Sequence, residues 1–166
     1  MTLSIRDSGP GDAEALFAIQ KVASVAGLAH VFPPERYAYP DDEIRARWRE
    51  VGGRVFLAER DGRAVGLAAV DDCWLNGLYV VPDEWGGGVA VALHDVAVAE
   101  IAAQHDEAKL WCLEENHRAR RFYERRGWRR NGETRTVPFA PQPLDVGYSL
   151  DLRRSDASAA SWSATR

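Results

Sequence analysis

Leu78-Tyr79-Val80-Val81-Pro82-Asp83-Glu84-Trp85-Gly86-Gly87-Gly88-Val89-Ala90 is the stretch on which the reading of this chain turns. An aliphatic and aromatic run stops at Pro82, three consecutive glycines follow, and an apolar segment resumes at Val89. That pattern is a strand, a loop free of side chains, and a helix whose first amides have no partner of their own. Such a helix start attracts anions. Its unpaired N–H groups and the helix dipole favour negative charge, and glycines let a phosphate approach the backbone. A flexible strand-to-helix turn would use the same three glycines.

Two familiar phosphate loops do not fit. No Gly-Lys-Ser/Thr follows the glycines, as a nucleotide triphosphate loop requires. A dinucleotide loop needs glycine or alanine where Val91 stands and an acid where Leu113 ends the next strand.

Working outward, Cys73 to Val81 reads as the strand feeding the loop and Val89 to Gln104 as the helix leaving it. Leu110-Trp111-Cys112-Leu113 returns as a strand, which makes a right-handed crossover between parallel strands. Before it, Val55 to Ala58 and Ala64 to Val70 form a hairpin around Arg60-Asp61-Gly62-Arg63. Leu3 to Arg6 alternates as a short strand. Asp12 is placed to cap a helix with Ala15, Leu16, Ile19 and Val22 on one face. Gly27 to Pro40 is a loop, and Ile44, Trp48 and Val51 mark a second helix ending at Gly52-Gly53. Asn116 opens a last helix that Gly127 closes, followed by strands near Trp128 to Arg130 and from Val146 to Leu152. The expected fold is α+β: a mixed sheet of about six or seven strands with about four helices, in the order β-α-α-β-β-β-α-β-α-β-β. Residues 1–152 are expected to form one domain, and the Ser/Ala-rich stretch 153–166 a disordered tail.

The quoted loop resembles the first signature of the GNAT acetyltransferase superfamily, in which strand and Pro are followed by Arg/Gln-x-x-Gly-x-Gly/Ala. A second signature stands at the right distance: Asn116, Ala119, Phe122-Tyr123-Glu124 and Gly127-Trp128, similar to Asn-x-x-Ala-x-x-Phe-Tyr-x-x-x-Gly-Phe. The resemblance covers Leu3 to Leu152. Trp85 departs from it, standing where the family has Arg or Gln, and Gly87 replaces a common basic residue. The resemblance implies an enzyme that moves an acetyl group from acetyl-CoA to an amine of a small molecule or peptide, by direct transfer in a ternary complex. The two departures leave open a second reading, a non-catalytic acyl-CoA-binding or regulatory module of the same fold.

By that resemblance, main-chain groups of Leu78 and Val80, with Tyr79 between them, would pair with the pantetheine arm in a splayed sheet. Asn76-Gly77 is a reasonable place for the bulge that splays it. Trp85, Gly86, Gly87, Gly88, Val89 and Ala90 form the pyrophosphate loop, in which the N–H groups of Gly86, Gly88, Val89 and Ala90 would hold the anion. Asn116 would contact pantetheine or cap its own helix, and Ala119 and Tyr123 complete the cofactor side. Tyr123 is the catalytic candidate, because a phenol can protonate the departing thiolate; a packing tyrosine is the alternative. The general base stays open among Asp71, Asp72, Glu84, His30 and a water relay. Arg120 or Arg121 could meet the 3′-phosphate of CoA, or belong to a solvated helix face. His30, Tyr37 and Trp74 are expected on the acceptor side. Phe32, Tyr39, Glu35, Asp41 and Asp42 add an aromatic and acidic character suited to a cationic amine.

Composition bounds the rest. The chain has 166 residues, 46% hydrophobic and 28% charged, with net charge −4. Such a balance fits an ordinary globular domain and argues against a dedicated nucleic-acid binder. Cys73 and Cys112, both inside apolar runs, read as buried free thiols, and no Cys/His cluster has metal-ligand spacing. No signal-peptide pattern and no span long enough for a bilayer is visible, so a cytoplasmic protein without membrane or nucleic-acid partners is expected. A homodimer is compatible with the family resemblance.

Overall fold

The Asp61-Gly62 turn sets the centre of the sheet. Both residues have positive φ, 53° and 80°, and together they close a two-residue hairpin that puts Arg60 opposite Arg63. The computed structural model describes residues 2–153. The expected tail beyond Arg153 lies outside the described residues. The strands are β1 (Leu3–Asp7), β2 (Arg54–Arg60), β3 (Arg63–Asp71), β4 (Trp74–Val80), β5 (Glu107–Leu113), β6 (Arg129–Thr136) and β7 (Leu144–Asp151). The helices are α1 (Ala13–Gly27), α2 (Asp41–Arg49), α3 (Val89–Ala102) and α4 (His117–Arg125). Element order agrees with the sequence reading.

One seven-stranded sheet runs β1-β2-β3-β4-β5-β7-β6. Every neighbour pair is antiparallel except β4 and β5, which are parallel and meet in a single pair, Trp74 with Lys109. Beyond that rung the two strands diverge. The cause is local: Ala69 pairs with Gly77 but Val70 with Leu75, which leaves Asn76 as an extra residue. A bulge of this kind bends its strand and sharpens the twist.

Helices cover both faces. A Cβ on Gly66 would lie 2.9 Å from Leu93 Cδ1 and 3.1 Å from Val89 Cγ1, so α3 packs closely over β3. Strand alternation then turns Leu67, Ala69 and Asp71 to the opposite face, which α1 and α2 cover with Leu16, Phe17, Ile19, Ile44 and Trp48, all buried. The indole N–H of Trp48 donates to Gln20 Oε1 at 2.8 Å and locks α2 to α1. Left unpaired, a buried amide of this kind would cost about 1–3 kcal/mol.

Three local expectations change. Asp12 stands at the start of α1 without capping it. Its carboxylate instead accepts from the Gly9 N–H at 2.8 Å and from Arg6, which holds its pKa at about 2. β6 is longer than Trp128 to Arg130; all its residues are exposed, so no buried alternation marks it in the sequence. Both cysteines are free, but only Cys112 is buried, and Cys73 is half-buried.

Candidate active site

The gap between β4 and β5 is lined by main chain. Val81 donates to the Val65 carbonyl at 2.9 Å. In an antiparallel pair such bonds alternate, so Val81 and Tyr79 bond to β3, while Leu78 and Val80 direct their N–H and C=O groups into the gap. One of these groups is occupied, because the Trp85 indole N–H donates to the Val80 carbonyl at 2.7 Å. The Leu78 N–H and C=O and the Val80 N–H remain directed at the opening.

The glycine loop closes one end. Gly86 and Gly88 have φ of 80° and 87°, a left-handed backbone that side chains resist, and a Cβ on either would meet nothing within 4 Å. Space above the loop is therefore open. The Gly87 N–H is used internally, on the Glu84 carbonyl at 3.2 Å. The first helical bond of α3 runs from Ala92 to the Gly88 carbonyl, so the amides before it have no helical acceptor. Arg118 of α4 lays its guanidinium 3.6 Å from the Trp85 ring centroid. The loop lacks a basic side chain of its own, and this arginine brings one beside it.

Helix α4 forms the opposing wall. The Asn116 side chain accepts from the Ala119 N–H at 3.2 Å, which is the capping role. Asn116, Ala119 and Tyr123 all border the cleft. Tyr123 is 8% exposed, and burial, then Cys112 and Tyr79 nearby, push its phenol well above the usual range. Trp128 packs edge-on behind it with ring centroids 5.9 Å apart. Its amide donates to the Tyr123 carbonyl at 3.1 Å. A tryptophan at this position needs an acceptor for its indole N–H, and buried His94 supplies one at 3.0 Å through Nε2. The other ring nitrogen, Nδ1, then carries the proton and faces Asp95 Oδ1 at 3.0 Å. Burial lowers the His94 pKa, against the pull of Asp95.

On the α1/α2 face the gap opens into a cleft of ≈ 1320 Å³. Leu78, Tyr79, Tyr37 and Trp74 line it; His30 does not, and its Nε2 instead meets the Glu115 carbonyl at 2.8 Å. Trp74 stacks on Trp111 with centroids 6.0 Å apart and planes at 13°. Arg135 sits 4.6 Å over the Trp111 ring and pairs with Asp145, a buried carboxylate, at 3.0 Å. Of the four side chains considered as base, only Asp71 borders the cleft. Asp72 faces His105 at 3.1 Å, Glu84 is held by Arg60 at 2.9 Å, and His30 is on Glu115. Glu35, Asp41 and Asp42 do not line it either, and Asp41 is paired with Lys21 at 2.9 Å. Arg120 points inward: it donates to Tyr148 Oη and to the Glu114 carbonyl, each at 2.9 Å, while Tyr148 donates to Glu124 at 2.7 Å. That network holds α4 to the sheet and leaves Arg120 no fork for a phosphate.

The family model of the acetyltransferase (GNAT) family matches residues 22–128, a span that holds the bulged strand, the glycine loop and Tyr123. The chain belongs to the GNAT acetyltransferase family. It is 36% identical over 115 residues to a protein named as an uncharacterized N-acetyltransferase of Archaeoglobus fulgidus, over 58% of this chain and 77% of that one. It is 37% identical over 89 residues to a protein of the same description from Mycobacterium tuberculosis, covering 49% of this chain and 56% of that one. The chain thus spans about half the length of this mycobacterial relative. In fold it is similar to the PaiA N-acetyltransferase of Thermoplasma acidophilum, solved in complex with coenzyme A, with TM-score 0.67, 16% identity, and 91% and 99% of the two chains covered. In this chain of the GNAT family, Arg47, Trp111, Arg135 and Asp145 line the cleft although sequence reasoning passes over them. Trp111 alternates with buried Leu110 and Cys112 on β5, and that period was the signal for its facing the cleft. The arginines carry none, because an arginine on a helix or an edge strand reads as solvated.

Proposed function

We propose that this GNAT domain transfers an acetyl group from acetyl-CoA to a primary amine by direct attack within a ternary complex. The observation that carries the reading is the continuity of the gap. Main-chain groups of Leu78 and Val80 face it, the free amides of α3 stand at one end, and Tyr123 forms its wall. The residues fit the cofactor. A pantetheine arm has amides to pair with Leu78 and Val80, and the pyrophosphate has the amides of Gly86, Gly88, Val89 and Ala90, with Arg118 alongside. Bound acetyl-CoA supplies an activated thioester carbonyl.

The chain's own residues do the remainder. The amine nitrogen bonds to the acetyl carbon as the carbon–sulfur bond breaks, and the electron pair leaves on sulfur. Tyr123 stays protonated across the neutral range because burial raises its pKa, so its hydroxyl can give the departing sulfur a proton and regain one from solvent in the cleft. A main-chain N–H of the bulged strand polarises the carbonyl. The amine's proton leaves to solvent or to a carboxylate of the cleft, among which Asp71 carries no ion pair among the described residues.

Calorimetric titration with acetyl-CoA, with CoA and NADH as controls, is the decisive experiment. It is to be paired with thiol release in the presence of an amine panel. Binding of acetyl-CoA and CoA but not NADH, with amine-dependent thiol release, is expected. Binding without release would leave the acyl-CoA-binding module as the better description, and no binding at all would overturn both.

A further inference from the structure

Arg47 is a cation of the cleft that no carboxylate answers. It projects from α2 and rests on the Trp48 ring, 4.7 Å from its centroid. Nη2 donates to the Asn76 carbonyl at 2.6 Å, the group that the bulge sets free. Nη1 has only two long contacts, each 3.5 Å, to Gln20 Oε1 and Tyr79 Oη. Gln20 Oε1 is already engaged by Trp48 at 2.8 Å. All these partners are neutral, and among the described residues Arg47 makes no ion pair. A guanidinium carries five N–H groups and prefers a carboxylate fork; here it borders the cleft with only neutral acceptors on its Nη groups.

Position gives this charge its meaning. A Cβ on Gly77 would lie 3.5 Å from Arg47 Nη2, so the guanidinium sits over the bulge, next to Tyr79 and one residue from Leu78. That is the end of the cleft at which the acetyl group would be presented. Three carboxylates line the cleft, and none pairs with Arg47. Asp145 is taken by Arg135, Asp71 lies at the β3–β4 turn, with Oδ2 3.5 Å from where a Gly52 Cβ would stand, and exposed Glu50 stands just past the last turn of α2. An acceptor amine at the gap would therefore have a cation, not an anion, beside it. The floor next to it is the Trp74–Trp111 stack, a flat apolar surface suited to a hydrocarbon or aromatic body.

We propose that Arg47 is a carboxylate receptor and that the acceptor is of the amino-acid type: a primary amine with a carboxylate beside it and an apolar or aromatic side chain. This rests on the acetyl-transfer reading above and narrows its acceptor from amines in general. It also departs from the cationic amine that Glu35, Asp41 and Asp42 suggested, since those residues do not line the cleft.

The test compares ligands that differ by the carboxylate alone. The full chain is titrated with L-phenylalanine against 2-phenylethylamine, and with L-leucine against 3-methylbutylamine, following the indole fluorescence that Trp74 and Trp111 contribute. The carboxylate-bearing member of each pair is expected to bind about tenfold tighter or more, as a charge-assisted fork allows. R47Q is expected to erase the difference, and R47K, which keeps the charge without the fork, to retain part of it. Equal or weaker binding of the amino acids, no binding of either, or a preference that survives R47Q would overturn the proposal. If R47Q fails to fold, the wild-type pairs and R47K decide. The two readings fail separately. A chain that acetylates both members of a pair alike keeps the transferase and loses the carboxylate receptor. A chain that prefers the amino acids but never releases thiol loses the transferase and leaves Arg47 as a carboxylate site.

Discussion

The indole N–H of Trp85 donates to the Val80 carbonyl at 2.7 Å, tying the glycine loop back onto the strand that feeds it. The same ring carries Arg118 at 3.6 Å on its face. A residue that departs from the family signature thus performs two tasks: it fixes the loop, and it holds a cation beside the amides of α3. Trp85→Phe removes the first and keeps the second. Its stability is expected to fall by about 1 kcal/mol, the net worth of one hydrogen bond, with acetyl-CoA affinity nearly unchanged. Trp85→Ala removes both, and its affinity is expected to drop about tenfold, roughly 1.4 kcal/mol. Urea denaturation and calorimetry on the two variants check this.

Tyr123→Phe separates chemistry from binding. The ring is packed against Trp128 and Phe122, and the variant keeps it. Turnover is expected to fall by about 100-fold or more, within the range of lost general-acid catalysis, while the Kd for acetyl-CoA stays within about threefold, under 0.7 kcal/mol. Thiol-release kinetics beside calorimetry measure both. Equal loss in the two would mean that Tyr123 only packs.

At Gly88 the backbone has φ 87°, so any side chain costs about 1–2 kcal/mol. A carboxylate there also meets an anion site. Gly88→Glu is expected to weaken acetyl-CoA binding by about 100-fold or more. Gly88→Ala, which carries the backbone cost without the charge, is expected to lose much less. Thermal melts establish that both variants fold. Equal affinities in the two would move the pyrophosphate away from this loop.

His94 makes stability depend on pH. Its folded pKa lies below the unfolded value of about 6.5, so below that pH the unfolded chain binds the proton more readily. The His94 contribution is therefore complete above about pH 6.5 and is lost as pH falls toward the folded pKa. Protonation would also put a second N–H against the Trp128 indole N–H. Urea midpoints at pH 7.5 and 5.5 should fall for the wild type and fall less for His94→Gln, whose carbonyl can still accept from Trp128. Parallel pH slopes would exclude His94 as the source.

Much of the fold is legible because its punctuation is local. Asp61-Gly62 names its own turn, Pro82 and the three glycines end β4 and open α3, and the extra residue of the bulge falls at Asn76 within the expected Asn76-Gly77. β6 is the counterexample: Arg129–Thr136 is polar on both faces, so its extent comes only from pairing with β7. The glycine loop and the bulged strand are legible for the same reason as the fold, since they are made largely of backbone. The side-chain lining of the cleft is not. His30 and Tyr37 sit in one loop and read alike, yet one is turned to the Glu115 carbonyl and the other to the cleft. Arg47 lies between Ile44 and Trp48 on α2, and nothing in that spacing tells that its guanidinium bends over β4.

The single rung between Trp74 and Lys109 has a mechanical consequence. Strands β1 to β4 and strands β5 to β7 form two panels joined by that one rung, with no main-chain pairing between β4 and β5 beyond it. A ligand along the seam would supply the missing rungs of the ladder. An acyl-CoA arm laid along the seam, as proposed above, would be a structural member of the sheet, and loading it would stiffen the fold along that line.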